Sequence, residues 1–263
     1  MYEIFRILGE PSRVLKAGLF VFWLIGLISL WIFTPNHGIP LPIEVWGTFQ
    51  RMAATDSIDS GNLIYNTLIT LQLNLFGLLL SSIISLLISY LSCLPLLQPL
   101  NQILQWFRYL PIVAINLFFL SIFTIGLPAK IAMLTAGMAF FLITSMTAEI
   151  RKVPKLNIEL ARILNYGNLK TFWLVVFRPT LPAMIDIVSQ SVALSWLFVV
   201  VIELFNHSQS GIVAAIYSFS STNQRAEIFV YLIIIGIIAF LEVQFFYWLK
   251  RILFSYKQIA ERA

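Results

Sequence analysis

The sequence has 263 residues, of which 59% are hydrophobic and only 11% are charged, whereas a soluble domain carries roughly 25% charged residues. Together with a mean hydropathy of +0.89, this apolar surplus is too large for one globular core, so lipid must be part of the solvent. The net charge of +5 has no nucleic-acid-binding motif beside it, and the single cysteine, Cys93, excludes a disulfide framework within the chain.

Six apolar runs predict membrane-spanning helices, each of which needs about 20 mostly apolar residues. A polar and charged segment, residues 1–16, precedes the first run, and residues 253–263 form a polar tail. The sequence therefore predicts an all-α integral membrane protein whose transmembrane domain covers residues 17–252. The predicted spans are residues 17–33, 65–91, 110–125, 131–148, 183–205 and 228–249.

The distribution of Lys and Arg predicts the orientation of these spans. If the N-terminus is cytoplasmic, 14 of the 17 Lys and Arg residues lie on the inner side and 3 on the outer side. This is the bias that cytoplasmic loops carry. We therefore expect six spans with the N-terminus and the C-terminus both in the cytoplasm.

Two connections between spans predict structure of their own. In the outer loop after the first span, residues 43–52 read as an amphipathic helix with Ile43, Trp46 and Phe49 on one side. On the inner side, residues 155–178 carry two apolar stripes at helical spacing. Gly167 lies between them, and we expect the chain to reverse there. We expect this segment to form two short cytoplasmic helices between spans four and five, with Pro179 and Pro182 restarting the chain.

The inner segment resembles a known protein family. Glu159-Leu-Ala-Arg-Ile-Leu-Asn-Tyr-Gly167, with Leu181-Pro182 after it, is similar to the EAA loop of ABC importer permeases. Other segments resemble the nitrate, sulfonate, taurine and bicarbonate branch of these binding-protein-dependent permeases, in the same order and spacing. They are Leu41-Pro-Ile-Glu-Val45, Arg108-Tyr-Leu-Pro111, Thr124-Ile-Gly126, Ala193-Leu-Ser-Trp196, Val201-Ile-Glu203 and Ser210-Gly-Ile212.

The resemblance implies a coupling segment that docks on an ATPase subunit, with Glu159, Ala161, Arg162 and Gly167 as its residues. The loop departs from the family pattern at three positions. Leu160 replaces an alanine, Asn165 holds the usual glycine position, and Arg178 stands where a proline is expected.

The resemblance further implies the surroundings of the chain. They are a bacterial inner membrane, a second permease copy, one or more ATPase subunits and an extracytoplasmic binding protein. ATP and Mg would bind to the ATPase, and no cofactor to this chain. The implied substrate is a small anion such as nitrate, a sulfonate, taurine or bicarbonate.

Polar residues inside the spans are the expected contacts of a translocation pathway, because such groups need partners in lipid. The sequence offers Glu203 and Trp196 on the fifth span. Each has an alternative: Glu203 as a gate or structural hydrogen bond, Trp196 as a filler between helices. The other pathway candidates are Gln72, Asn116 and Gln190. The competing interpretation is that these side chains form hydrogen bonds that hold neighbouring helices together.

Two other function classes remain open from the sequence. A membrane scaffold or channel-like subunit would lack an ATPase partner at the coupling segment. An intramembrane enzyme would need Asp186, Glu203 or Glu242 to act alone, because no catalytic pair, phosphate-binding glycine loop or metal-ligand spacing occurs.

Overall fold

A computed structural model describes residues 12–33, 39–54, 62–123, 126–205 and 210–254. The predicted N-terminal segment and C-terminal tail lie mostly outside these residues. The described residues form helices and no β-strand. In chain order the helices are α1 (Arg13–Phe33), α2 (Pro42–Ala53), α3 (Leu63–Leu91), α4 (Gln98–Trp106), α5 (Ile112–Ile122), α6 (Leu127–Ile150), α7 (Lys155–Ile163), α8 (Asn168–Thr171), α9 (Arg178–Gln190), α10 (Val192–Phe205), α11 (Ile212–Ser221) and α12 (Arg225–Leu253).

Five helical runs of the described chain are long and apolar enough to cross a membrane. They are α1, α3, α6, α12 and the run Asn168–Gln190, so the all-α membrane fold is confirmed. The predicted third span, residues 110–125, contains α5, whose 11 residues extend only about 17 Å against a hydrocarbon core of about 30 Å. The count of six spans and the side of each terminus stay predictions.

The centre of the fold is the packing of α3 against α6. Small residues recur every four positions along α3, at Gly77, Ser81, Ser85 and Ser89, and all four are buried. The hydroxyls of Ser85 and Ser89 donate to backbone carbonyls of α6, at 3.1 and 3.4 Å. Small residues at this spacing let two helix backbones approach closely within a membrane, and this stripe lies where α3 packs on α6.

The predicted pair of short helices between residues 155 and 178 is only half correct. α7 is a separate short helix, but the second helix does not end at the prolines. The chain is helical from Asn168 to Gln190, through a π-helical segment, Phe172–Phe177. Pro179 lies in the first turn of α9 and Pro182 inside it. Proline lacks the N–H of a regular helical bond, and a π-helical turn is one way to absorb that local mismatch. The second half of the predicted pair is therefore the entry to the next membrane helix.

That entry continues almost directly into α10. Ser191 separates α9 from α10, and its N–H still donates to Ile187 at 3.1 Å. The predicted fifth span, residues 183–205, therefore consists of the second half of α9 and all of α10. At the opposite end of the described chain, α12 packs on α9, α2 and α11. Asp186 of α9 and Lys250 of α12 form an ion pair at 2.7 Å.

The predicted amphipathic helix after the first span is confirmed as a helix, with a different buried face, while its place on the outer side stays a prediction. α2 covers Pro42–Ala53, and the side chain of Glu44 accepts a hydrogen bond from the Leu41 N–H at its start, at 3.0 Å. Val45 and Thr48 are buried, while Trp46 stays exposed. The apolar side that the sequence singled out therefore lies partly on the surface of the chain.

Candidate functional site

The N-terminus of α11 is held by three side chains from two other helices. The N–H of Gly211 donates to Asn66 Oδ1 at 2.9 Å, and the N–H of Ile212 donates to Thr70 Oγ1 at 2.8 Å. The next N–H, that of Val213, donates to Glu203 Oε2 at 3.0 Å. The first turn of a helix leaves such N–H groups without partners in the helix itself. In α11 the side chains of α3 and α10 supply them.

Thr70 links the members of this cluster because its hydroxyl both accepts and donates a hydrogen bond. Its hydroxyl accepts from Ile212 and donates to Glu203 Oε1 at 2.6 Å. Thr70 and Glu203 are 1% and 2% exposed. A carboxylate at a helix N-terminus also interacts favourably with the helix dipole, and the buried Lys130 of α6 lies within electrostatic range of Glu203. The cluster therefore gives a buried acidic group several stabilising partners.

Gly211 is required by this geometry for two reasons. Its φ of 119° falls in a region that side chains disfavour. A Cβ built there would lie 2.6 Å from Glu203 Oε1. The glycine thus lets the α11 backbone approach the carboxylate closely enough to donate its first N–H groups.

A second buried carboxylate, Glu242 of α12, lies among two donors. Trp196 Nε1 donates to Glu242 Oε2 at 2.8 Å. The amide of Asn74 donates to both carboxylate oxygens, at 3.0 and 3.1 Å. This triad connects α3, α10 and α12 inside one protomer. Glu242 is therefore paired within the helix bundle.

The structure does not bring the five predicted pathway residues together. Trp196 and Glu203 are buried on α10 but belong to the two different clusters described above. Gln72 and Gln190 are exposed on the protomer surface. Asn116 lies on α5, and its side chain is outside the part of the chain that the structure describes. Their role in a pathway stays a prediction, while the contacts of Trp196 and Glu203 correspond to the structural alternatives.

A cavity between four of the helices does not identify a polar passage either. It measures about 620 Å³ and lies between α3, α4, α5 and α6. Its lining is almost entirely apolar and includes none of the five predicted residues. Thr135 is the one polar side chain among its lining residues, and its hydroxyl has no hydrogen-bond partner in the described structure.

The predicted coupling residues lie on or just after α7. Ala161 is 3% exposed and faces the protein, while Glu159, Arg162 and Gly167 are exposed. The helix also exposes a continuous apolar stripe on the face turned away from the rest of the protein. Its members are Leu156, Leu160, Ile163 and the following Leu164. α7 is thus anchored by a small residue and presents large apolar side chains next to charged ones.

The turn after α7 explains the altered glycine position of the loop. Asn165 has a φ of 56°, the left-handed conformation that often ends a helix. The Tyr166 N–H donates back to Ala161 at 2.9 Å, which closes the turn. Asparagine is the residue other than glycine that most readily adopts this conformation. Gly167 has a φ of −64° and space around its Cβ position, so the expectation that Gly167 reverses the chain is wrong.

Sequence reasoning missed two features of these sites. The stripe of small residues on α3 was readable from Gly77, Ser81, Ser85 and Ser89 as a four-residue repeat. The burial of Lys130, in contrast, could not be predicted from any pattern in the sequence. The positive-inside pattern accounts for a lysine between two spans equally well. Asn66, Thr70 and Asn74, by contrast, do bind helices to one another, which is the commoner role of polar residues in spans.

Comparison with known proteins gives the family. Residues 67–255 match the family model described as "Binding-protein-dependent transport system inner membrane component". The chain belongs to this family. It is therefore a transport protein, namely the permease component of an ABC importer, and it crosses the inner membrane several times.

Individual relatives agree with this assignment. The permease is 25% identical over 243 residues to SsuC of Bacillus subtilis (strain 168), a permease protein named for the transport of aliphatic sulfonates. That match covers 89% of this chain and 86% of SsuC. A crystal structure of an amino acid ABC transporter, with histidines, is similar in fold. Its TM-score is 0.51 at 18% identity, and the match covers 72% of this chain and 90% of the other.

Proposed function

We propose that this permease imports an aliphatic sulfonate or a similar small organic anion, driven by a separate ATPase subunit that docks on α7. An extracytoplasmic binding protein delivers the substrate, and two permease copies form the passage. Binding of ATP to the ATPase pair favours one of two orientations of the passage, which is the differential interaction that any driven conformational change requires. ATP and Mg bind to the ATPase and not to the permease.

The exposed stripe of α7 is the observation that carries the docking part of the proposal. Leu160 is 48% exposed and Ile163 is 78% exposed, on a helix that the charge bias assigns to the cytoplasm. In that location the stripe faces water and not lipid, so its burial against a partner is favourable, at roughly 25 cal/mol for each Å² of apolar surface. A short amphipathic helix inserted in a groove is a common mode of protein recognition.

The substrate part rests on the similarity to SsuC. That protein is named for aliphatic sulfonates, and the match extends along nearly the whole of both chains. The amino acid transporter supports the fold alone. We therefore place an aliphatic sulfonate ahead of nitrate and bicarbonate, and ahead of amino acids.

Docking is tested by co-purification of the permease with a co-expressed ATPase. Glu159→Lys and Ile163→Asp should each lower the amount of retained ATPase. The first reverses a charge on α7, and the second places a charge on the apolar stripe. Glu149→Lys is the matched control, with the same charge change on α6. Its i,i+3 ion pair with Lys152 is worth at most about 1 kcal/mol. Full retention and full uptake in both α7 variants would show that the ATPase does not dock there.

Substrate choice is tested in vesicles that contain the permease, the ATPase and the binding protein. ATP-dependent uptake of a labelled aliphatic sulfonate should be measured in competition with nitrate, bicarbonate and an amino acid. Unlabelled sulfonate should compete most strongly. If the wild-type permease retains no ATPase and conducts without ATP, the scaffold or channel alternative is correct instead.

A further inference from the structure

A small polar cavity lies between the ends of α3 and α6 and the start of α4. It measures about 290 Å³ and has seven lining residues, of which none is acidic. They are Ser92, Cys93, Gln98, Asn101, Thr147, Ile150 and Arg151. Liquid water occupies about 30 Å³ per molecule, so the cavity has room for a small solute with its remaining hydration.

The walls of this cavity are ordered by a chain of hydrogen bonds. Gln105 Nε2 donates to Asn101 Oδ1 at 3.0 Å, and Asn101 Nδ2 donates to Thr147 Oγ1 at 3.0 Å. The Thr147 hydroxyl in turn donates to Ser89 Oγ at 3.4 Å. Asn101 and Thr147 are both buried. The Asn101 amide has two N–H groups, of which one donates to Thr147, so the other is available to a ligand.

The charge of the cavity is positive. Arg151 lines it, and the described residues include no carboxylate paired with its guanidinium. The nearest acidic residue in sequence, Glu149, pairs with Lys152 at 2.6 Å. Burial raises the pKa of the Cys93 thiol, so this side chain contributes no negative charge at neutral pH.

Two helix C-termini also meet the cavity, and their dipoles favour cations. Most of their last carbonyls already accept hydrogen bonds within the chain. In α6 those of Thr147 and Ile150 accept from Arg151 and Val153, and in α3 that of Ser89 accepts from Ser92. The preference of the cavity for an anion over a cation therefore depends on the Arg151 guanidinium and the amide and hydroxyl donors around it. Charge-assisted bonds from arginine to an oxyanion are about twice as strong as neutral ones.

We propose that this cavity binds a small oxyanion, namely a sulfonate, sulfate or phosphate group. The group is held by Arg151 and by the side-chain amides of Gln98 and Asn101. The charge bias places the cavity on the cytoplasmic side, so the anion is either a free solute of the cytoplasm or the phosphate of an inner-leaflet lipid. Arg151 directly follows α6 and begins the connection to α7. If the proposed docking of α7 is correct, an anion bound here lies next to the coupling helix.

The binding itself is tested on the permease alone, which separates it from the proposed function. Cys93 lines the cavity and is the only cysteine of the chain, so a small thiol reagent reports its access. Sulfate or methanesulfonate should slow the labelling of Cys93 in detergent relative to chloride at equal ionic strength. At about ten times its Kd the anion should slow it about tenfold. A thermal-shift titration with the same anions measures binding without the thiol.

Variants and lipids complete the experiment. Arg151→Gln should abolish the protection, while Lys152→Gln, a neighbouring exposed lysine, should keep it. In nanodiscs of phosphatidylcholine, whose phosphate is neutralised by its own choline group, only added anion should protect Cys93. Protection in phosphatidylglycerol nanodiscs without added anion, lost in Arg151→Gln, would assign the same site to a lipid phosphate. Neither protection nor a thermal shift in the wild-type permease under any of these conditions would overturn the proposal.

Discussion

Replacing Thr70 with valine should destabilise the permease more than its buried volume predicts, because the side chain keeps its shape and loses two hydrogen bonds. The hydroxyl accepts from the Ile212 N–H at 2.8 Å and donates to Glu203 Oε1 at 2.6 Å. In Thr70→Val the buried N–H at the start of α11 has no other partner. An unsatisfied buried donor costs about 1–3 kcal/mol, and a bond to a charged group contributes about 1.5–3 kcal/mol.

We expect a loss of about 2–4 kcal/mol in the free energy of unfolding, as the carboxylate keeps its bond from Val213. Ordinary hydrogen bonds between membrane helices contribute only about 0.6 kcal/mol on average, since the unfolded chain in the membrane finds other partners. The larger value follows from the position of Thr70, whose two partners lie on two different helices. The assay is reversible unfolding of the detergent-solubilised permease, followed by circular dichroism.

Thr67→Val is the matched control on the same helix. The Thr67 hydroxyl donates only to the Leu63 carbonyl one turn earlier, at 2.7 Å, so its loss should change stability by no more than about 0.5 kcal/mol. A double-mutant cycle of Thr70→Val with Glu203→Gln should give a coupling energy of about 1–3 kcal/mol. Equal stability of the two threonine variants would refute the cluster as the anchor of α11.

Three further substitutions test other parts of the fold by the same unfolding assay. Gly77→Ala should cost about 1–3 kcal/mol because its Cβ would overlap a leucine of α6, while Gly236→Ala, with open space around the Cβ position, should be neutral or stabilising. Asn165→Val should cost at least about 1 kcal/mol in the left-handed turn, whereas Asn165→Gly and Gly167→Ala should change little. Trp196→Phe should cost about 1.5–3 kcal/mol because the buried carboxylate of α12 loses its indole donor. Loss of stability in the neutral controls, or none in the others, would contradict these assignments.

The membrane fold could be predicted from the sequence because hydropathy is a local property. Each long apolar run reports the solvent around it without reference to any other run. The same local character explains where the prediction of elements was wrong. Pro179 and Pro182 are strong helix breakers in isolation, yet the helix continues through them. Whether the surrounding bundle supports a π-helical turn cannot be read from the residues themselves.

The polar clusters were beyond sequence reasoning for a different reason. Thr70 and Glu203 are 133 residues apart, and Asn74 and Glu242 are 168 apart. A polar residue within a span needs a partner, but its own neighbours do not say which partner it finds. The sequence could therefore single out Glu203 as costly in lipid. It could not distinguish a residue that contacts substrate from one that holds α11.

The altered loop after α7 shows how a departure from a family pattern can preserve geometry. The family's glycine position is occupied by Asn165, which adopts the left-handed backbone that the turn requires. The nearby Gly167 drew attention because glycine is the usual residue for a turn, yet its own backbone is ordinary. A motif is thus better compared by the conformation each position needs than by the residue it usually holds.

The two buried carboxylates also bear on where the proposed passage for an anion lies. Glu203 and Glu242 each accept hydrogen bonds from within the protomer, and a negative charge directly on the route would oppose an anion. Gln72 and Gln190, in contrast, are exposed on the protomer surface. An uncovered amide in hydrocarbon lacks hydrogen-bond partners, so each is better satisfied by water in a passage or by a second permease copy. The exposed glutamines are therefore stronger candidates for the translocation pathway than the buried acidic residues that first stand out in the sequence.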